Sequence, residues 1–300
     1  MMQMWGIPPN LGSGRVLHAG KWLWVRAIGW IISLIFVIML VFGLSVEALG
    51  ELLPKQPAAQ FVVQVTGACL VLMAYAVLVR FGEGRAPDEL SLRAAPLGVL
   101  TGVAIGLAMF AVVMLIMVTT GLYSFDYYGP RSAWHGAGLA IQSAVVEEVL
   151  VRGVVLRILW RAFGPWVAFT ISAVLFGAGH IGNPGATWFT TLCIALEAGV
   201  MLGAFYALTG RLWMSIGVHA GWNFTQGYLF GATVSGGNFG NSIANSVPLR
   251  GHPEWLTGGA FGPEASLPSF AICVAVGALV LWLAQLRGSF AKAREVARPT

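Results

Sequence analysis

Charged residues are scarce in this chain. Asp, Glu, Lys and Arg together make up 10% of its 300 residues, where a soluble domain carries about a quarter. That deficit excludes an ordinary globular protein with a solvated surface. Cysteine is scarce as well. Its three copies, Cys69, Cys193 and Cys273, sit inside apolar runs with no metal-ligand spacing, which excludes a disulfide framework and leaves them as small hydrophobes. No dense run of Lys or Arg is present, so the net charge of +5 gives no footing for nucleic acid. A secretory signal is also missing: about twenty mixed residues precede a first apolar run too long for a signal's hydrophobic core.

What the chain has in quantity is apolar length. It is 57% hydrophobic with a mean hydropathy of +0.78. Its 12 Trp, 17 Phe and 39 Gly suit membrane interfaces and close helix packing. Windows long enough to cross about 30 Å of hydrocarbon fall at 27–49, 60–79, 97–121, 136–160, 165–181, 188–208, 212–232 and 268–286. The fourth, fifth and seventh are interrupted by polar residues. The expected fold is all-α, a polytopic membrane protein of about eight transmembrane helices in one bundle, forming a single membrane domain over residues 1–300 without internal repeats.

With the N-terminus inside, thirteen basic residues fall on the cytoplasmic side, among them Arg85, Arg157, Lys292, Arg294 and Arg298. Only Lys55, Arg131 and Arg250 fall outside. Both termini are therefore expected in the cytoplasm of a multi-pass protein of the inner or plasma membrane. The Gly/Asn-rich connection 233–267 is then external, and its length marks it as either functional or mobile.

Against this background, three buried acids need an explanation: Glu147, Glu148 and Glu197. A charge near a helix centre costs about 2.5–3.5 kcal/mol on insertion scales. Glu148 and Arg152 are four residues apart and share a helix face, where an intrahelical ion pair lowers their joint cost. Glu147 lies about 100° around the helix and needs a partner from elsewhere. Candidates are His180 in "LFGAGHIGNPG" and the pair His219 and Asn223 in "SIGVHAGWNFTQG". A single intramembrane His is ordinarily a packing residue, and Glu197 reads as a structural partner for a cation or backbone group. Two His, an Asn and an unpaired Glu on helices that pack together allow more. One reading is Glu/His base catalysis on water with donors for an oxyanion. The other is a divalent metal such as zinc held by Glu147, His180 and His219. The spacing is not the H-E-x-x-H of helical zinc proteases, and both readings stay open.

Glu147–Arg152 (E-E-x-x-x-R), Phe176–His180 (F-x-x-x-H) and His219–Asn223 (H-x-x-x-N), in this order on successive spans, resemble the CPBP (Abi) family of intramembrane proteases, which includes the CAAX prenyl endopeptidase of Ras-converting type. The flanking texts "RGVVL", "HIGNPGAT" and "TGRLWMSIGVHAGWNF" strengthen the likeness, which covers about residues 136–232. Val151 departs from the pattern, since many members have Phe there, but it is a packing position. The resemblance implies a catalytic core over that region and catalytic roles for Glu147, His180, His219 and Asn223. Glu147 would be the base that activates water, assisted by His180, with His219 and Asn223 binding the oxyanion. Glu148 and Arg152 would support the site. The family has been named metalloprotease from its Glu/His pattern, and a metal-free glutamate mechanism is equally compatible.

The expected function is endopeptidase cleavage of a membrane-associated or lipid-embedded peptide or protein, with membrane lipids as the other partner and no nucleic acid. The alternatives are a non-catalytic membrane scaffold that keeps the motif for structure and an ion or small-solute transporter. Against transport, the polar residues cluster in one half of the chain with no counterpart in the other.

Overall fold

The computed structural model describes residues 8–291. The termini, with Lys292, Arg294 and Arg298, lie outside the described residues, so the expected cytoplasmic termini are not located by it. Helices follow the apolar windows in order. They are α1 (Leu23–Leu52), α2 (Pro57–Leu78, running on through a π-helical turn to Glu83), α3 (Ala95–Thr119) and α4 (Trp134–Glu148). A π-helical stretch, Val149–Leu156, leads from α4 into α5 (Arg157–Phe163), followed by α6 (Pro165–Ala178). Then α7 (Trp188–Ile194) widens through Ala195–Val200 into α8 (Met201–Thr209), and α9 (Leu212–Phe224) ends in a widened turn, Thr225–Leu229. The short α10 (Glu254–Thr257) and the long α11 (Leu267–Leu286) complete the order.

Among the described residues, five segments are long and apolar enough to cross a membrane: Leu23–Leu52, Pro57–Glu83, Asp88–Thr119, Trp188–Thr209 and Leu267–Leu286. The expected count of eight thus resolves into five apolar spans and three other helical stretches. Pro165–Ala178 is apolar but shorter, and the helices carrying Glu147, Glu148, His219 and Asn223 are diluted by those same side chains. The fold is predominantly helical, with one departure from all-α. Strands β1 (Asp126–Tyr127) and β2 (Ala244–Asn245) pair antiparallel, Asp126 opposite Asn245, and tie the long connection before α11 to the segment that follows α3.

Helix α9, which carries the H-x-x-x-N motif, is held by a seam of glycines on α3. A Cβ built on Gly102 would lie 2.5 Å from the Met214 carbonyl oxygen, and one on Gly106 would lie 2.1 Å from that of Val218. From the other side, Gly217 and Gly221 stand equally close to the backbone of Val99 and Val103. Without side chains in the seam the backbones meet directly, the device by which membrane helices gain dispersion contacts where no hydrophobic effect separates helix from lipid.

A second anchor corrects the charge reading. Arg157 and Arg85, expected among the loop charges, are drawn into the protein. Arg157 is fully buried and grips Glu83 with both terminal nitrogens, at 2.8 and 2.6 Å. Arg85 binds Glu83 at 2.7 Å and Glu89 at 2.8 and 2.7 Å, while the Tyr75 hydroxyl bonds Glu89 and the Gly153 carbonyl. Arg157 is reached because the helix runs unbroken past Leu156, carrying the guanidinium to the acids that follow α2. Hydropathy cannot see such pairing, since Glu83 and Glu89 lie outside its windows.

The seam makes a sharp prediction. Gly106→Val should leave little monodisperse protein on size exclusion, with a loss on the order of 1–3 kcal/mol or more from overpacking. Gly43→Val should behave as the parent, because a Cβ at Gly43 meets nothing within 4 Å.

Candidate functional site

The chain reaches the site through two interruptions of regular helix. Where α4 ends at Glu148, the helix widens into π turns that include Arg152. Between α5 and α6 the residue pair Gly164 and Pro165 turns the chain, Gly164 at φ 87°, a left-handed-side conformation that glycine alone takes at little cost. Helix α6 then returns alongside and lays the Phe176 ring over the Arg152 guanidinium, 4.7 Å from centroid to carbon. The widened stretch Ala195–Val200 packs against α6 through Gly177 and Gly199, where a Cβ would lie 2.8 Å from Ala195 Cβ and 2.9 Å from Ala173 Cα. Short π-helical insertions of this kind occur often at functional sites, and here they adjoin two of the motif segments, Glu147–Arg152 and His219–Asn223.

Arg152 and Glu148 are both wholly buried. Arg152 Nη1 donates to Glu148 Oε1 at 2.8 Å, and Nη2 donates to the carbonyls of Ala198 and Gly199 at 2.6 and 3.2 Å. The same Glu148 oxygen lies 3.0 Å from His219 Nδ1. That contact fixes the imidazole and directs its far nitrogen toward Glu147, whose Oε2 stands 3.8 Å from His219 Nε2. Glu147 Oε2 has no hydrogen-bond partner. The acids thus divide as their helical positions require: Glu148 faces Arg152, and Glu147 finds its partner on another helix.

His180 lies in the turn after α6, its Nδ1 2.8 Å from the Phe176 carbonyl and its ring 5.0 Å from that of Phe176. Asn223 donates from Nδ2 to Ser143 Oγ at 3.1 Å. His180, His219 and Asn223 line one cavity of about 460 Å³, its mouth included. Glu147 meets His219 from beside it. Among the described residues no group of three or more His, Cys, Asp or Glu is arranged to hold a metal ion. Glu147, His180 and His219, the metal set offered by the sequence, form no such group among the described residues.

Two cavity residues escaped the sequence reading. Ser235 and Glu264 come from the Gly/Asn-rich connection 233–267, which is folded onto the bundle. Glu264 Oε1 accepts from the Ser235 backbone N–H at 2.7 Å and its hydroxyl at 2.6 Å, and Phe261 and Ala265 pack with Phe176, Cys193 and Ile194. Burial pushes the Glu264 carboxyl above the usual carboxylate range, against the bonds from Ser235 and Gln226 that favour its charged form. Nothing in "GGAFGPEASLP" marks that acid as buried, because loops carry no periodicity from which to read a face.

Residues 129–225 match the family model described as Rce1-like, type II CAAX prenyl endopeptidase. This segment is Rce1-like. It contains every motif residue from Glu147 to Asn223 and makes up roughly a third of the chain. The family is one of proteases, and with the apolar helices it marks a membrane protein and a peptide hydrolase in general. No curated protein and no solved structure matches the chain.

The buried pair predicts an asymmetry between the adjacent acids of the Rce1-like segment. Removing one partner of a buried ion pair costs about 3–5 kcal/mol. Glu148→Ala should therefore lower the melting temperature in detergent markedly, while Glu147→Ala should leave it nearly unchanged. Equal melting of the two variants would contradict the arrangement.

Proposed function

We propose that the protein is an intramembrane endopeptidase that hydrolyses a peptide bond of a membrane-associated or lipid-embedded peptide with a water activated by Glu147. The reading is carried by the Glu147–His219 approach. A gap of 3.8 Å between two polar atoms is too long for a direct hydrogen bond and invites a bridging water. That water would give its proton to Glu147 while its oxygen attacks the scissile carbonyl carbon. The tetrahedral intermediate then collapses as the proton passes to the departing amine.

His219 is held by Glu148 through Nδ1, so Nε2 is the nitrogen presented to water and substrate. This favours His219, rather than His180, as the immediate partner of the base, which exchanges the two imidazole roles implied by family resemblance. His180 keeps its outer nitrogen free of intramolecular bonds and shares the cavity with Asn223. Asn223 Nδ2 supplies an N–H donor for the oxyanion, and His180 supplies one from Nε2 only as an imidazolium, since Nδ1 already donates to the Phe176 carbonyl; a single such donor is worth about 2.7–4 kcal/mol elsewhere. Glu148 and Arg152 act through His219 as positioning residues. The polar groups are sheltered in a cavity of the bundle, which is the condition for placing ionisable residues at membrane depth. The eight-helix membrane crossing, with α4–α5, α6 and α9 traversing beside the five apolar spans, belongs to the same reading, as does residence in the inner or plasma membrane.

The test is peptide release from a membrane-protein and peptide mixture by purified protein in nanodiscs. Glu147→Gln and His219→Ala should each reduce it by at least about 10²-fold with melting within a degree or two of the parent for Glu147→Gln. His180→Ala should reduce it less than His219→Ala. Parent-level release by Glu147→Gln would refute the mechanism.

A further inference from the structure

Beyond the motif residues, the cavity holds two carboxyl groups that the hydrolytic scheme does not use. Glu197 enters from the widened stretch Ala195–Val200 and Glu264 from the folded connection 233–267, and both line the cavity with His180, His219 and Asn223. They are 2% and 4% exposed. The two lie close enough for their charges to interact. Their environments differ. Glu264 is fixed by the N–H and hydroxyl of Ser235. Glu197 Oε1 is buried and has no hydrogen-bond partner.

No Lys or Arg among the described residues stands within ion-pair distance of either acid, whereas every other buried acid has one or faces His219. Arg152 and Arg157 are committed elsewhere, to Glu148 and Glu83. A buried acid without a partner is costly, and two in one cavity repel. A cation delivered from outside would relieve both at once. The folded chain contributes one ordered donor set, at Ser235, and leaves the opposite carboxyl unsatisfied and open to the cavity.

We propose that Glu197 and Glu264 form an acidic subsite that accepts a Lys or Arg side chain of the peptide substrate, beside the bond that is cut. The inference rests on the peptide-hydrolase reading above and adds the specificity of the same cavity. The long aliphatic stem of Lys or Arg suits the approach, since it can lie along Ile194, Met201 and Leu202 of the cavity wall while its head reaches the carboxyls. Because the connection 233–267 supplies Glu264, its folding completes the subsite. That gives the Gly/Asn-rich segment a substrate-binding role.

The test separates binding from cleavage. A pool of apolar 20-residue peptides with a randomised central hexamer is captured by Glu147→Gln protein in nanodiscs and sequenced. Lys and Arg should be enriched about tenfold over Gln at one position of the captured peptides. Adding Glu197→Gln or Glu264→Gln to the capture protein should abolish that enrichment, and melting temperatures identify any variant that fails to fold. No basic enrichment, or enrichment that persists in both folded double variants, overturns the subsite. The protease reading stands or falls separately, on whether the parent protein cuts the captured peptides and Glu147→Gln does not. Should Glu197→Gln misfold, Glu264→Gln alone decides, since its carboxamide still accepts from Ser235.

Discussion

The placement of one fully buried guanidinium, that of Arg152, organises the half of this protein that holds the candidate site. Arg152 has four neighbours: Glu148 on its own helix, the carbonyls of Ala198 and Gly199, and the face of Phe176. A buried charge tolerates few arrangements, because each missing partner is a desolvation cost without return. Bonding the two terminal nitrogens of Arg152 therefore fixes the position of α4 relative to α6 and to the widened stretch between α7 and α8. Glu148, held by Arg152, then turns its oxygen to His219 and brings α9 into the same constraint. Four helical stretches are tied at one point, and the free carboxyl of Glu147 is set beside the imidazole as a consequence.

The glycine seam between α3 and α9 supplies the complementary half. Ionic contacts orient side chains but leave helix separation loose, since a guanidinium reaches over several ångströms. Backbone contact at Gly102, Gly106, Gly217 and Gly221 allows almost no freedom in depth or rotation. His219 and Asn223 lie on a helix that is held in depth by α3 and aimed by Glu148. Spans outside the candidate site thus decide how accurately its side chains are placed, and catalysis by those side chains would need them held to a fraction of an ångström.

How much of this the sequence disclosed follows from which interactions are local. The Glu148–Arg152 pair was readable because four residues make a helical turn and the two charges must share a face. The need of Glu147 for an outside partner followed from the same geometry. The choice of His219 over His180 as its neighbour did not, because both rings sit on other helices and helical spacing carries no information about rotation between helices. Arg157 and Arg85 looked like loop charges for the same reason: their acids are distant in sequence. The three windows with least apolar character were those that carry the site, so the signal used to find membrane helices was weakest where function required polar atoms. Glu264 was invisible, lying in a segment with neither periodicity nor motif.

The two families of buried acid in the cavity region differ in a way that bears on what each is for. Glu148 is neutralised inside the protein and cannot respond to a ligand without breaking its bond to Arg152. Glu147 is a third exposed at its side chain and shares only a loose approach to His219, so it keeps the freedom to take a proton. Glu197 and Glu264 form no ion pair with a Lys or Arg among the described residues. A fold that needed them only for stability would gain by replacing either with leucine or glutamine, since neither change would strand a positive partner. Buried charge with a partner reads as architecture, whereas buried charge lining a cavity without one reads as an expectation of something that arrives, and in this molecule the second kind lines the cavity in which the Glu147–His219 pair would meet a peptide.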